Sequence, residues 1–185
     1  MILPFSTQIN KKPSYFPEKI ITGLEQNDLI TFDETEHLFK TKVFVNHPKG
    51  ELKGECVHMI KFDTTINHKP KIHTIREDKK NRWKVGTKID FFINARQKNM
   101  FRFAPVLPVV STQKIEIQYE LSFYRKKTKI IYIDDKLFYH EIEHNNEFKM
   151  LDFAQNDGFD TMEDFFDYFN KDYKGKIIHW TNFKY

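Results

Sequence analysis

The stretch KIHTIREDKKNRWKVG, residues 71–86, decides the fold. Residues 72–76 read as a short strand that runs into a charged turn, an Arg82-Trp83-Lys84 patch and a second turn at Gly86. Alternation along the strand puts Thr74 and Arg76 on one face, with His73 and Ile75 on the other. Thr74 and Arg76 can then share a cleft, where Arg76 offers its planar fork to a phosphate or carboxylate. Trp83 can stack a base while Arg82 and Lys84 hold the nucleotide backbone. The plainer reading makes Trp83 a core plug and the cations a solvated face. Lys, His, Thr, Arg and an indole together suit a ligand with a flat ring and a phosphate.

Around this stretch the chain has 185 residues, enough for one domain, or one domain carrying a large insertion, with a sizeable core. Aromatics make up 16% of it, with 19 Phe, so the core is built on rings. The longest apolar run, residues 103–110, is broken by Pro105 and Pro108 and is too short to span a bilayer. The start, MILPFST, lacks the basic and apolar regions of a secretory signal. The single cysteine, Cys56, allows no internal disulfide and reads as a small buried hydrophobe. These features place the protein in the cytoplasm, without a membrane partner.

The net charge of +4 conceals an asymmetry. Residues 69–102 hold seven Lys and four Arg against three acids, whereas residues 133–172 hold twelve acids against three Lys. Either the first region is a basic face for polyanions, or the two regions neutralise each other across the fold.

Residues 13–24 read as a helix, with Pro17 in its first turn and Ile20, Ile21 and Leu24 on one face. Residues 28–66 read as irregular and β-rich, with strands at 29–32, 42–45 and 57–62. Residues 88–94 and 101–103 make a hairpin, residues 114–120 the cleanest alternating strand, and residues 129–133 and 137–142 a hairpin around Asp134-Asp135. A helical turn or two follows at 147–154. An amphipathic helix of about ten residues carries Met162, Phe165, Phe166 and Phe169, started by a Thr161–Asp164 capping box. A strand at 176–180 closes the chain.

A helix ending in I-x-G-L, a KxxTIR strand, an RWKVG turn and a DGF-turn-helix before a last strand resemble the ASCH family of the PUA-like superfamily. The matching residues are 17–24, 71–93, 151–173 and 177–183. The resemblance implies an α+β fold: a PUA-like small β-barrel with flanking helices, forming one domain over 1–185 with a β-rich insertion at 25–68. It also implies RNA or modified-nucleoside recognition, by His73, Arg76, Arg82, Trp83 and Lys84. The family places its KxxTIR strand soon after the first helix and a Gly before the Lys. Here residues 25–68 intervene, and His68-Lys69-Pro70 stand where that Gly is expected.

In the acetylcytidine amidohydrolase branch of that family, a Lys, a Thr three residues on and a Glu before the second helix form the catalytic group. By position these fall on Lys71, Thr74 and Asp157, the last one methylene shorter than the family's Glu. An amine would activate a hydroxyl or water, and a carboxylate would carry protons to the leaving amine. Asp157 equally suits a turn before Gly158. No cofactor is implied.

Two other classes compete. His140-Glu141-Ile142-Glu143-His144 matches HExxH, the zinc metallopeptidase pattern, with Glu163 as a further ligand. It demands a helix where residues 137–142 read as a strand. The third class is a non-enzymatic interaction protein that docks a protein partner through residues 25–68.

Overall fold

The computed structural model describes residues 1–31, 33–34, 69–121, 127–143 and 146–185. The protein is α+β, and the described residues divide into two compact units. One is built from residues 1–70 and 88–107, the other from 71–87 and 108–185. Most of residues 25–68, including Cys56 and the strands expected at 42–45 and 57–62, lies outside the described residues.

In the first unit, β1 (Ile2–Phe5) pairs in parallel with β5 (Lys88–Ile93), which pairs antiparallel with β6 (Phe101–Arg102). The short strands β2 (Gln8–Ile9) and β3 (Lys12–Pro13) pair with each other. Leu3 and Phe5 alternate inward on β1, and Ile89, Phe91 and Ile93 on β5. Phe5 stacks on Phe91 at 5.9 Å and meets Phe103 edge-on at 5.8 Å. Each such buried side chain contributes about 1.5–3 kcal/mol.

Helix α1 (Phe16–Gln26) buries Ile20, Ile21 and Leu24, with Pro17 in the first turn. It starts three residues later than the sequence suggests, because residues 12–13 belong to β3. The strand expected at 29–32 is absent from the part that is described, residues 29–31. Asn27 and Asp28 close the helix there: Asn27 Nδ2 donates to the Gly23 carbonyl at 2.8 Å, and Asp28 takes a positive φ of 54°. Leu29 N then donates back to the Leu24 carbonyl at 2.9 Å. Thr31 and Glu34 exchange side-chain-to-backbone hydrogen bonds, the reciprocal pair of a capping box.

The second unit holds a five-stranded antiparallel sheet. Its members are β4 (His73–Arg76), β8 (Ser111–Leu121), β9 (Lys127–Ile133), β10 (Lys136–His140) and β11 (Tyr173–His179). The spatial order is β10-β9-β8-β11-β4. The strand β7 is Leu107–Pro108. Asp134 and Asp135, both at positive φ, form the two-residue turn of the β9–β10 hairpin. Helices α2 (Glu147–Asn156) and α3 (Met162–Tyr168) supply Met150, Phe153, Phe165 and Phe166 to the core. The Thr161 side chain caps α3 through Asp164 N at 3.1 Å, as the sequence indicates. The helix is shorter than expected, and Phe169 is its C-cap.

Among the described residues the strands form three sheets, none closed into a barrel. Among the same residues, no helix is long and apolar enough to cross a membrane.

Candidate active site

The site lies within the second unit and begins with the end of α2. Asp157 is the C-cap, and Gly158 follows at φ 93°, a conformation that glycine adopts without a Cβ clash. Gly158 N donates to the Gln155 carbonyl at 2.8 Å and Phe159 N to that of Ala154 at 2.9 Å. These two bonds make a Schellman closure, and they explain the Asp-Gly-Phe order. The closure sets Asp157 beside β4, the edge strand, whose outward N–H groups need acceptors. Ile72 N donates to the Asn156 carbonyl at 3.0 Å, and Ile75 N to Asp157 Oδ1 at 3.1 Å.

Lys71, just before β4, completes the junction. Its Nζ lies 2.7 Å from Asp157 Oδ1 and also donates to the Asp157 carbonyl oxygen. Both side chains are buried, with 1% and 5% exposure. Burial raises the Asp157 carboxyl above the usual carboxylate range, while Lys71, the Ile75 N–H and the nearby Arg76 guanidinium pull it back.

Beside this pair runs a row of polar side chains. Register places Ser111, His179 and His73 directly across from one another on β8, β11 and β4, and all three are buried. His73 Nδ1 is 3.7 Å from Asp157 Oδ1, and its Nε2 is 2.7 Å from the Tyr185 hydroxyl. Asn156 Nδ2 donates to the same hydroxyl at 3.0 Å. Gln113, two residues further along β8, accepts from Tyr185 N and donates to its carbonyl oxygen. Burial holds His73 well below its ordinary pKa, helped by His179 and Lys71. Burial likewise takes His179 down to about 4, with Lys184 adding to the shift and Asp134 opposing it. Tyr185 is pushed up by burial.

Of the residues singled out from sequence, Lys71 and Asp157 meet, although 86 positions separate them. Thr74 is buried on β4 opposite Ile178, on the strand face away from His73. Arg76 is half-buried, and Arg82 and Lys84 are exposed. His73 is fully buried.

The Trp83 side chain is buried at 4% exposure, which agrees with the core plug that is the plainer reading of the sequence. Its backbone is pinned as well: Trp83 N donates to Asp78 Oδ2 at 2.9 Å, and its carbonyl accepts from Lys176 Nζ at 3.0 Å. Asp78 Oδ1 also accepts from Arg82 N, so one carboxylate organises the turn.

The metallopeptidase pattern does not form a helix where it is described. His140 ends β10, and residues 141–143 are a turn. Glu141 is engaged by Lys129 at 3.2 Å, and His140 Nδ1 accepts from Glu143 N at 3.0 Å. His144 lies outside the described residues, among which no three His, Cys, Asp or Glu side chains gather as metal ligands.

Sequence reasoning missed Tyr185, His179, Asn156 and Ser111. The one available signal was a histidine at the inward position of an apolar strand, two residues after Ile177. The chain was compared with family models, curated proteins and solved structures, and nothing among them matches it.

Proposed function

We propose that the protein is a nucleoside-binding amidohydrolase of the ASCH, PUA-like type, acting on an acylated cytidine free or within RNA. The family's barrel belongs to this reading. The observation that carries it is the buried 2.7 Å contact between Lys71 Nζ and Asp157 Oδ1. The resemblance assigns those two residues, far apart in the chain, to one catalytic group. A pair of titratable groups whose burial opposes their mutual attraction is a common arrangement for proton transfer.

The chemistry follows from that pair. The pair first passes a proton from the Lys71 ammonium to the Asp157 carboxylate, and the free Lys71 amine then takes a proton from a water as the water oxygen adds to the acyl carbon. Asp157 then delivers a proton to the exocyclic nitrogen as the carbon–nitrogen bond breaks. One water is consumed, and a carboxylic acid and the free amine leave. Arg76 holds the Asp157 charge, and Thr74 is the hydroxyl that the resemblance adds.

Acetate release from N-acetylcytidine tests the reading. The wild-type protein is expected to turn the nucleoside over, and Lys71→Ala and Asp157→Asn to lose roughly 100-fold or more. Circular dichroism checks that each variant is folded. No turnover by the wild type, or full turnover by folded Lys71→Ala, overturns the proposal. Unchanged turnover by Thr74→Val removes Thr74 from the group.

A further inference from the structure

The Tyr185 ring fills a slot in the second unit that is built like a site for a flat ligand. Phe153 and Phe138 lie 4.9 and 5.3 Å from it, ring centre to ring centre, and His73 lies at 5.4 Å. The strand β10 slips register at Phe138, a bulge of the kind that re-aims a side chain. Phe138 also lines a surface groove of about 780 Å³ that includes Phe148 and Lys149. The slot therefore shares one wall with open surface.

The floor of the slot is polar and incompletely satisfied. Neither ring nitrogen of His179 has a hydrogen-bond partner among the described residues, and the same holds for Ser111 Oγ. Both side chains are at least nine-tenths buried, and the His179 ring lies 6.3 Å from that of Tyr185. Buried polar atoms are nearly always paired, so their concentration in one register row points to a ligand edge. A neutral imidazole offers one donor and one acceptor. That combination matches the edge of a heteroaromatic ring and not an anion.

We propose that this slot binds the base of a nucleoside, with Tyr185 as a built-in occupant that the ligand displaces. The identity of the ligand rests on the nucleoside reading above; the slot itself rests on the geometry. The Tyr185 hydroxyl stands across His73 from Asp157, so a base in its place is separated from the Lys71–Asp157 pair by one imidazole ring.

Cytidine titrated into wild type, Tyr185→Ala and Tyr185→Phe tests the proposal by calorimetry, with the imidazole NMR signals of His73 and His179 recorded alongside. Removing an occupant that fills the slot most of the time raises apparent affinity about tenfold. Tyr185→Ala is expected to show that gain. Tyr185→Phe keeps the packing but loses the hydroxyl's bonds to His73 and Asn156, so it is expected to show a smaller gain and guards against misfolding of the alanine variant. Both histidine signals are expected to shift on binding. Equal affinity in all three proteins overturns the proposal. Binding with unmoved histidine signals also overturns it, while leaving nucleoside recognition standing. The converse, a tenfold gain without acetate release, upholds the slot and removes the hydrolase.

Discussion

At the scale of single residues, Asp157 does three jobs with one side chain and its backbone. It ends α2, satisfies an edge N–H of β4 and pairs with Lys71. A buried pair of this kind is weak evidence for stability, since desolvation costs as much as the attraction returns. The neighbouring histidines make the stability of the fold depend on pH. His73 and His179 are held below their ordinary value, His179 at about 4. The unfolded chain therefore takes up protons near pH 6.5 that the folded chain refuses. Their contribution is complete above pH 6.5 and is lost as pH falls toward 4, at up to about 1.4 kcal/mol per pH unit for each imidazole. Asp157 acts in the opposite sense, because its raised value means that the folded chain binds the proton more tightly. Urea denaturation across this range is expected to show stability falling from pH 6.5, with the His179 ring titrating near pH 4 by NMR. A His179 midpoint near 6.5, or flat stability, contradicts the assignment.

At the scale of elements, β11 sits between β8 and β4 and carries Gly175 in mid-strand. A Cβ there would lie 2.7 Å from the Arg76 carbonyl oxygen and 2.7 Å from the Tyr173 ring. The first neighbour is backbone and cannot swing aside. Elsewhere a Gly→Ala change at a compatible position stabilises by about 0.4–1 kcal/mol. At Gly175 overpacking is expected to win, costing about 1–3 kcal/mol and loosening the edge strand beside Lys71. Urea midpoints and amide exchange of β4 measure this; a more stable Gly175→Ala protein refutes it. Strand periodicity exposed β5, β8 and the β9–β10 hairpin in the sequence, because alternation is a local property. The Thr161 cap was legible for the same reason. The β1 strand was not, since four residues gain meaning only from their parallel partner β5. The end of α1 misled because Leu29 and Ile30 are apolar, while the Asn27-Asp28 closure that ends the helix precedes them. At the site, Lys71 and Asp157 were found through the resemblance. The His179–Ser111 row was hidden, because it exists only in the pairing of three strands.

At the scale of the whole molecule, the uneven charge along the chain is partly spent inside each unit. Lys176 reaches Asp78 at 3.1 Å, Lys129 reaches Glu141 at 3.2 Å, and Arg102 reaches Asp90 at 2.7 Å. None of these three pairs joins a cation of residues 69–102 to an acid of residues 133–172, as Lys71 and Asp157 do, and in the turn after β4 Lys79 pairs with Glu77 at 3.0 Å. Arg82 and Lys84 stay exposed, on a loop whose backbone Asp78 and Lys176 hold in place. With the Trp83 ring in the core, polyanion attraction at this loop rests on charge alone, without stacking. Such binding weakens with salt in proportion to the phosphates neutralised, with a slope of about 0.7 per contact for a single strand. For a short single-stranded RNA, Arg82→Ala together with Lys84→Ala is expected to lower the slope of log affinity against log salt by about 1.4. Fluorescence anisotropy at several salt concentrations measures it, and the melting temperature should not move, because neither side chain is buried. An unchanged slope would place the RNA elsewhere and leave the loop as a solvated face.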